Sequence, residues 1–122
     1  MIKFTECLRR LPHLSHQEFL DYWLNVHGPL VKSLAVDLKM GRYVQSHTLV
    51  HPVHDAIRKS WGSGEPYDGI TEVWYDSREA MERSFVTPAM KVANRKLRED
   101  ETRFLDLAQG AAFFTEEHVI IE

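Results

Sequence analysis

The segment WLNVHGP at residues 23–29 holds the side chain best suited to chemistry, the imidazole of His27. On an α-helix, Leu20, Trp23 and His27 fall on one apolar stripe, so His27 is expected to point into the protein. Histidine changes charge near neutral pH, and a half-buried one is suited to general acid or base catalysis. A lone histidine on an apolar helix face is more often a structural core residue, and that role is the alternative.

Two strand-like segments carry polar side chains that are candidates to face this histidine. Period-two alternation groups Tyr43, Gln45, His47 and Leu49 on one face of the second strand, and Asp68, Ile70, Glu72 and Trp74 on one face of the third. If these faces line a cavity, Glu72 or Asp68 would orient His27 and complete an acid/base pair. Both carboxylates are equally suited to bracing a turn or a helix amide.

Aromatic side chains near these positions are the predicted substrate contacts. Together with His47 they are Tyr22, Trp23, Tyr43 and Trp74. A hydroxyl of Tyr22 or Tyr43 is suited to donating a hydrogen bond to a developing enolate oxygen. The alternative for the aromatic residues is a place in the core or in a dimer interface.

Composition excludes several classes of protein. The 122 residues carry a formal charge of −3 without a basic stripe, which argues against a nucleic-acid partner. No apolar run reaches the roughly 18 residues that a membrane helix needs, and no secretory signal is evident. Cys7 is the single cysteine, which excludes an intrachain disulfide and fits a reducing compartment. We therefore expect a cytoplasmic protein without a membrane partner.

The motifs of most cofactor and metal sites are absent. The chain has no glycine-rich phosphate loop and no His-Glu-x-x-His, and the pairs His13/His16 and His51/His54 are the nearest approach to ligand spacing. No Gly-x-Ser-x-Gly elbow occurs, and Cys7 has no evident activating partner. The sequence therefore predicts chemistry without a metal or cofactor.

The remaining pattern predicts the elements that must position these residues. A strand is expected at 2–10, a helix from about residue 16 capped by Ser15 and Glu18 and interrupted at Gly28-Pro29, and strands at 42–50 and 70–75. A long loop is expected at 51–67, further helices from Ser77 and over 88–108, and a last strand at 111–121. This order predicts one α+β domain over 1–122, with the ferredoxin-like βαββαβ topology and a four-stranded antiparallel sheet. Because the strands look apolar on both faces, we expect a homodimer that covers the sheet.

Two motifs in combination resemble a known family. The first motif comprises Leu14-Ser15, residues 18–23 and the following His27-Gly28-Pro29-Leu30-Val31. The second motif comprises Tyr67-Asp68-Gly69-Ile70 and residues 72–77. Over roughly residues 2–116 the chain is similar to the EthD family of the dimeric α+β barrel superfamily. The resemblance implies a homodimer whose two sheets form a barrel, with a small-molecule cavity between the helices and sheet of each subunit.

The resemblance leaves the reaction open, because the superfamily includes cofactor-free monooxygenases, isomerases, cyclases and lyase-like enzymes. Combined with the residues above, it favours a cofactor-independent enzyme in which His27 moves protons on a small, apolar, aromatic or polyketide-derived carbonyl compound. The alternative is a non-catalytic small-molecule-binding or accessory protein of a degradation pathway. Residues 51–66 are expected to form a lid or specificity loop, or else a plain connector.

Overall fold

The computed structural model describes residues 2–84 and 86–122, so Met1 and Phe85 of the expected domain lie outside the described residues. The strands are β1 (Ile2–Leu8), β2 (Met40–His47), β3 (Gly69–Tyr75) and β4 (Ala111–Glu116). The helices are α1 (His16–Tyr22), α2 (Gly28–Leu34), α3 (Val53–Trp61), α4 (Arg78–Arg83) and α5 (Pro88–Glu101), with a π-helical turn at Trp23–His27 and a 3₁₀ turn at Leu107–Gln109.

The four strands form one antiparallel sheet in the order β2-β3-β1-β4. This order confirms the predicted α+β fold with ferredoxin-like βαββαβ topology. β1 lies between β3 and β4, and alternation directs Phe4, Glu6 and Leu8 towards the helices. The centre of the sheet therefore presents a carboxyl group to the helix side.

The predicted start of α1 is confirmed. The Ser15 hydroxyl accepts from the Glu18 amide while the Glu18 carboxylate accepts from the Ser15 amide, which is a complete capping box. The helix is interrupted as predicted, by the π-helical turn that leads into Gly28 and Pro29. Pro29 lacks an amide proton and its ring crowds the preceding turn, so widening the backbone there relieves the clash. His27 is the last residue of this turn.

Two clusters of buried side chains hold the helices on the sheet. One joins α2 to α5 through Val31, Leu34, Leu38, Met90, Ala93 and Leu97. The other packs Phe19, Trp23 and Phe104 around Leu8 and Leu105. Phe19 and Phe104 are fully buried, with ring centroids 5.6 Å apart. His27 lies against the second cluster, 5.0 Å from the Phe104 ring.

Several predicted boundaries are wrong. α5 ends at Glu101 and not at Ala108, because Leu105 bridges Arg10 and the Asp106 amide donates to the Arg9 carbonyl, which draws the chain out of helical geometry. The last strand ends at Glu116 and not at 121, and the second strand covers 40–47 and not 42–50.

The prediction of a plain loop at 51–67 is wrong, because this segment contains helix α3. Turn residues bound this helix, with Pro52 before it and Gly62 after it at a φ of 64°. Val53, Ile57 and Trp61 recur at helical spacing, a pattern that indicates an amphipathic helix, but in the structure all three are exposed. Within the described ranges, no helix is both long and apolar enough to cross a membrane.

Candidate functional site

A cavity of about 310 Å³ lies between the sheet and the helices. Much of its wall is apolar, supplied by Phe4, Leu8, Trp23, Val31, Val73, Leu97 and Phe104. Ionisable and polar side chains interrupt this wall, namely Glu6, His27, Tyr43, Thr71, Tyr75, Asn94, Arg98 and Glu101. An apolar cavity of this size with a few convergent polar groups is typical of a small-molecule site.

His27 lies in the cavity wall with its ring oriented by a carboxylate. Nδ1 of His27 lies 2.8 Å from Oδ2 of Asp100, and both residues are 5% exposed. Because a carboxylate only accepts, this pairing places the ring proton on Nδ1 and leaves Nε2 as the basic nitrogen. The predicted orienting carboxylate therefore exists, but Asp100 at the end of α5 supplies it in place of Glu72 or Asp68.

Three donors hold Asp100 in its charged form. The Tyr22 hydroxyl donates to Oδ1 over 2.5 Å, and Nη1 of Arg103 donates to the same oxygen over 3.2 Å. Burial alone would raise the pKa of Asp100, but the hydrogen bonds from Tyr22 and His27 outweigh it and lower that pKa. Asp100 is therefore a carboxylate at neutral pH.

Two carboxyl groups, those of Glu6 and Glu101, line the cavity. Burial, together with the negative charge of Glu101, raises the pKa of Glu6 from 4.5 to about 8, although Arg98 opposes the shift. Burial also raises the pKa of Glu101, and electrostatic interactions with His27 and Arg98 counteract part of this rise. The Arg98 Nε lies 3.3 Å from the Glu101 carboxylate. At neutral pH Glu6 is a neutral carboxylic acid, and hence a hydrogen-bond donor.

Of the predicted substrate contacts, Trp23 and Tyr43 line the cavity. Burial raises the pKa of the Tyr43 hydroxyl, which therefore stays protonated, and the Gln45 amide contacts it at 3.1 Å. Tyr22 does not line the cavity. Its hydroxyl donates a hydrogen bond to Asp100, so it positions that carboxylate and is not free to contact an enolate oxygen.

His47 packs against the back of Trp23. The two rings stack with centroids 4.7 Å apart, and His47 Nε2 contacts the Gln45 side-chain oxygen at 2.9 Å. His47 borders an open groove of about 840 Å³ between α2 and β2, next to the central cavity. Burial and the neighbouring His16 lower the pKa of His47, which favours the neutral ring at neutral pH.

The prediction that Glu72 faces His27 is wrong, because Glu72 lies on the opposite face of the sheet. There it forms an ion pair with Lys3. Trp74 lies on the same outer face, where its indole donates to Glu117 and lies under Lys3 and Arg42. The cavity side of β3 is formed instead by Thr71, Val73 and Tyr75.

Asp68 lies outside the cavity in a separate network. Its carboxylate contacts Nη1 of Arg10 at 2.7 Å and Nδ1 of His16 at 2.8 Å, and it accepts from the Arg10 amide at 2.9 Å. The second ring nitrogen of His16 lies 2.8 Å from the Thr48 carbonyl. These bonds overcome the effect of burial and lower the pKa of Asp68, which joins the start of β3 to α1.

Three acidic residues in or behind the cavity wall, Glu6, Asp100 and Glu101, were not predicted, although the sequence carries a signal for two of them. Glu6 lies between Phe4 and Leu8 on the apolar face of β1, and Asp100 continues the buried stripe of α5 through Ala93 and Leu97. A charged residue within an apolar periodicity is the informative observation, because an unpaired charge there is costly. Glu101 is the next residue in the chain, and no separate pattern indicates it. Among the described residues, no group of three or more His, Cys, Asp or Glu side chains is placed to hold a metal ion.

Solved structures share this fold. An EthD family protein from Bacillus halodurans has a TM-score of 0.62 and 18% identity, over 97% of this chain and 99% of that chain. An EthD-like protein from Ralstonia eutropha has a TM-score of 0.60 and 18% identity, over 99% and 93%. A dimeric protein of unknown function with a ferredoxin-like fold, from Bacteroides fragilis, has a TM-score of 0.58 and 11% identity, over 95% of both chains.

At these identities the likeness establishes the fold alone. The sequence has no significant match among curated proteins. The family model of the EthD domain matches residues 11–108, a range that includes His27 and Asp100. Because the match covers most of the chain, and the resemblance seen in its motifs agrees with it, the chain belongs to the EthD domain family.

Proposed function

We propose that this protein is an enzyme that moves protons on a small, largely apolar carbonyl compound bound in the central cavity, with His27 as general base. The observation that carries the proposal is the 2.8 Å contact between Nδ1 of His27, which lines the cavity, and Oδ2 of the buried Asp100 behind it. A histidine oriented by a buried carboxylate is a recurrent arrangement for proton transfer.

The chemistry begins with removal of a proton from the carbon next to the carbonyl. Asp100 holds the Nδ1 proton of His27, so Nε2 takes the proton from carbon and Asp100 stabilises the imidazolium that forms. Tyr43 lines the same cavity with a protonated hydroxyl. Isomerisation, elimination, decarboxylation, cyclisation and cofactor-free oxygenation all share this first step.

The wall of the cavity favours an apolar and aromatic ligand. Phe4, Trp23 and Phe104 contribute rings, and Val31 and Val73 contribute aliphatic surface. Aromatic walls of this kind bind planar rings through area burial and offset stacking. The class that fits is a small aromatic or polyketide-derived ketone.

We also propose that the protein functions as a homodimer that covers the outer face of the sheet. Ile70 and Phe113 on that face are 38% and 46% exposed. The structural relative from Bacteroides fragilis is described as dimeric. A dimer that seals this face would leave the cavity on the other side of the sheet accessible to ligand.

Exchange of carbon-bound protons in D₂O tests the catalytic proposal without knowledge of the natural substrate. NMR would follow loss of the α-proton signals of indanone and tetralone with and without protein. We expect faster exchange with the protein and a fall of about 10²-fold to 10⁴-fold in His27→Gln, the range typical of a general base.

His16→Gln is the matched control, because His16 also pairs with an aspartate at 2.8 Å but lies outside the cavity. This variant should lose stability and keep the exchange rate of the folded protein. Equal rates in wild type and His27→Gln would contradict the proposal. Saturable ketone binding without any exchange would favour the non-catalytic binding protein instead.

A further inference from the structure

We infer that Glu6 is the acid partner of His27, donating a proton to the ligand's carbonyl oxygen while His27 removes a proton from the adjacent carbon. This inference rests on the proposed function and names the second catalytic residue of the same cavity. Glu6 lies before the residues that the family model matches, so the assignment comes from this chain's own structure.

The first observation is that Glu6 is unpartnered and faces the cavity. Its side chain lies on the helix side of β1 and lines the cavity wall. In the described part of the chain, no hydrogen-bond donor contacts its carboxyl group, whereas Asp68 and Asp100 each have three donors. A carboxylate without donors in an apolar wall is costly, so the neutral acid or a bound ligand is favoured there.

The second observation is the set of groups around Glu6. Tyr43 on β2 and Tyr75 on β3 face it from the sheet, and both have raised pKa values to which the charge of Glu6 contributes. Glu101 and Arg98 face it from α5. Burial and Glu101 together raise the pKa of Glu6 to about 8, so the acid form is present at neutral pH.

In the same cavity, the contact with Asp100 leaves Nε2 of His27 as the proton acceptor, while burial and Glu101 favour the acid form of Glu6. In many enzymes, the general acid and the general base are two titratable groups whose different surroundings favour the protonated form of one and the unprotonated form of the other. Glu101 contributes the repulsion that keeps the Glu6 proton in place, and it is therefore a positioning residue.

The proposed step balances in protons and electrons. His27 Nε2 takes the proton from carbon, the C–H electron pair forms the enol double bond, and the carbonyl π pair binds the proton of Glu6. This leaves imidazolium, a carboxylate and a neutral enol. The carboxylate then recovers its proton from the enol oxygen while imidazolium returns a proton to carbon, at the original position or at a conjugated one.

The protonation of Glu6 can be measured directly by ¹³C NMR titration of the glutamate carboxyl carbons, with Glu6→Gln to assign the signal. We expect a midpoint above pH 7 in the wild-type protein. Glu99→Gln, which removes an exposed carboxyl on the same helix as Glu101, should leave that midpoint unchanged. A Glu6 midpoint near 4.5 would overturn the inference, because the group would then have no proton to donate.

The ketone exchange assay tests the catalytic role. Gln matches the shape and neutrality of the protonated acid, so Glu6→Gln should fold and bind indanone while exchange falls about 10²-fold or more. If wild-type exchange depends on His27 but Glu6→Gln matches Glu99→Gln, the Glu6 assignment alone fails. If the wild-type protein exchanges no ketone proton, both the proposed function and the Glu6 assignment fail.

Discussion

At the scale of single residues, Asp100 decides what His27 can do. Two donors, Tyr22 and Arg103, point at Oδ1, and the His27 ring points at Oδ2. Since each oxygen has its own set of donors, the carboxylate selects the histidine tautomer with hydrogen on Nδ1. The basic nitrogen is then Nε2, and the choice is made by residues that do not line the cavity.

Asp100→Asn tests this positioning role. The side-chain oxygen of asparagine should take the Oδ1 place, where two donors converge, which puts the amide nitrogen against His27 Nδ1. We expect the opposite tautomer, with hydrogen on Nε2, and an exchange rate lowered by about 10²-fold or more. Long-range ¹H–¹⁵N NMR of the imidazole reports the tautomer. An unchanged tautomer together with full activity would contradict the role.

Glu6 should make stability depend on pH. Its pKa is higher in the folded protein than the unfolded value of 4.5, so folding takes up a proton between about pH 4.5 and 8. The stabilisation is complete below pH 4.5 and is lost as the pH rises towards 8, at up to about 1.4 kcal/mol per pH unit.

Glu6→Gln should therefore flatten the decline in unfolding free energy measured by urea denaturation from pH 5 to 8.5. Part of the slope should persist, because the pKa of Glu101 is raised in the same direction. The control Glu99→Gln should retain the full slope. A slope as steep in Glu6→Gln as in the wild-type protein would show that Glu6 binds no proton on folding.

At the scale of elements, Trp23 connects the π-helical turn to the sheet. The Trp23 carbonyl accepts from the Gly28 amide within the turn and from the Gln45 side chain on β2, which ties the turn to the sheet. The Trp23 ring lies against Gly69 at the start of β3 and stacks on His47. This packing fixes the orientation of the turn that ends at His27.

Gly69→Ala tests the contact between the two elements. A Cβ at residue 69 would lie 2.5 Å from the Trp23 ring and 2.9 Å from the Ser46 carbonyl oxygen, so the indole must move. We expect a loss of about 1–3 kcal/mol, typical of overpacking, measured by urea denaturation. Gly64→Ala is the control, since no atom lies within 4 Å of its Cβ position, and it should change stability by less than about 0.5 kcal/mol.

At the scale of the whole molecule, the sheet separates two surfaces with different chemistry. The helix side holds the cavity with Glu6 and His27, and the outer side carries the Lys3–Glu72 ion pair beside exposed Ile70 and Phe113. A homodimer through the outer face would bury these apolar side chains and leave the cavity's own residues within one subunit.

Phe113→Glu tests that assembly. Placing a charge within the proposed homodimer interface should shift the mass measured by light scattering from dimer towards monomer. Val92→Glu is the matched control, because Val92 is 47% exposed on α5, close to the 46% of Phe113. A wild-type protein that is monomeric at all concentrations, or a Phe113→Glu variant that stays fully dimeric, would contradict an interface on this face.

Local patterns in the sequence determined much of the fold. The capping box at Ser15 and Glu18, the interruption before Pro29 and the alternation of four strands follow from interactions between near neighbours, and the predicted topology is confirmed. His27 was identified in the same way, because a helical stripe shows which way a side chain points.

Only the tertiary structure decided which charged groups meet His27. Alternation gives two faces for each strand but does not say which one the helices cover, so Glu72 was assigned to the wrong side of the sheet. Asp100 is 73 residues from His27 along the chain, and their contact depends on how α5 packs against the π-helical turn. The raised pKa of Glu6 likewise requires the burial and the nearby Glu101 that packing creates, because electrostatic coupling depends on distance in space and not in sequence.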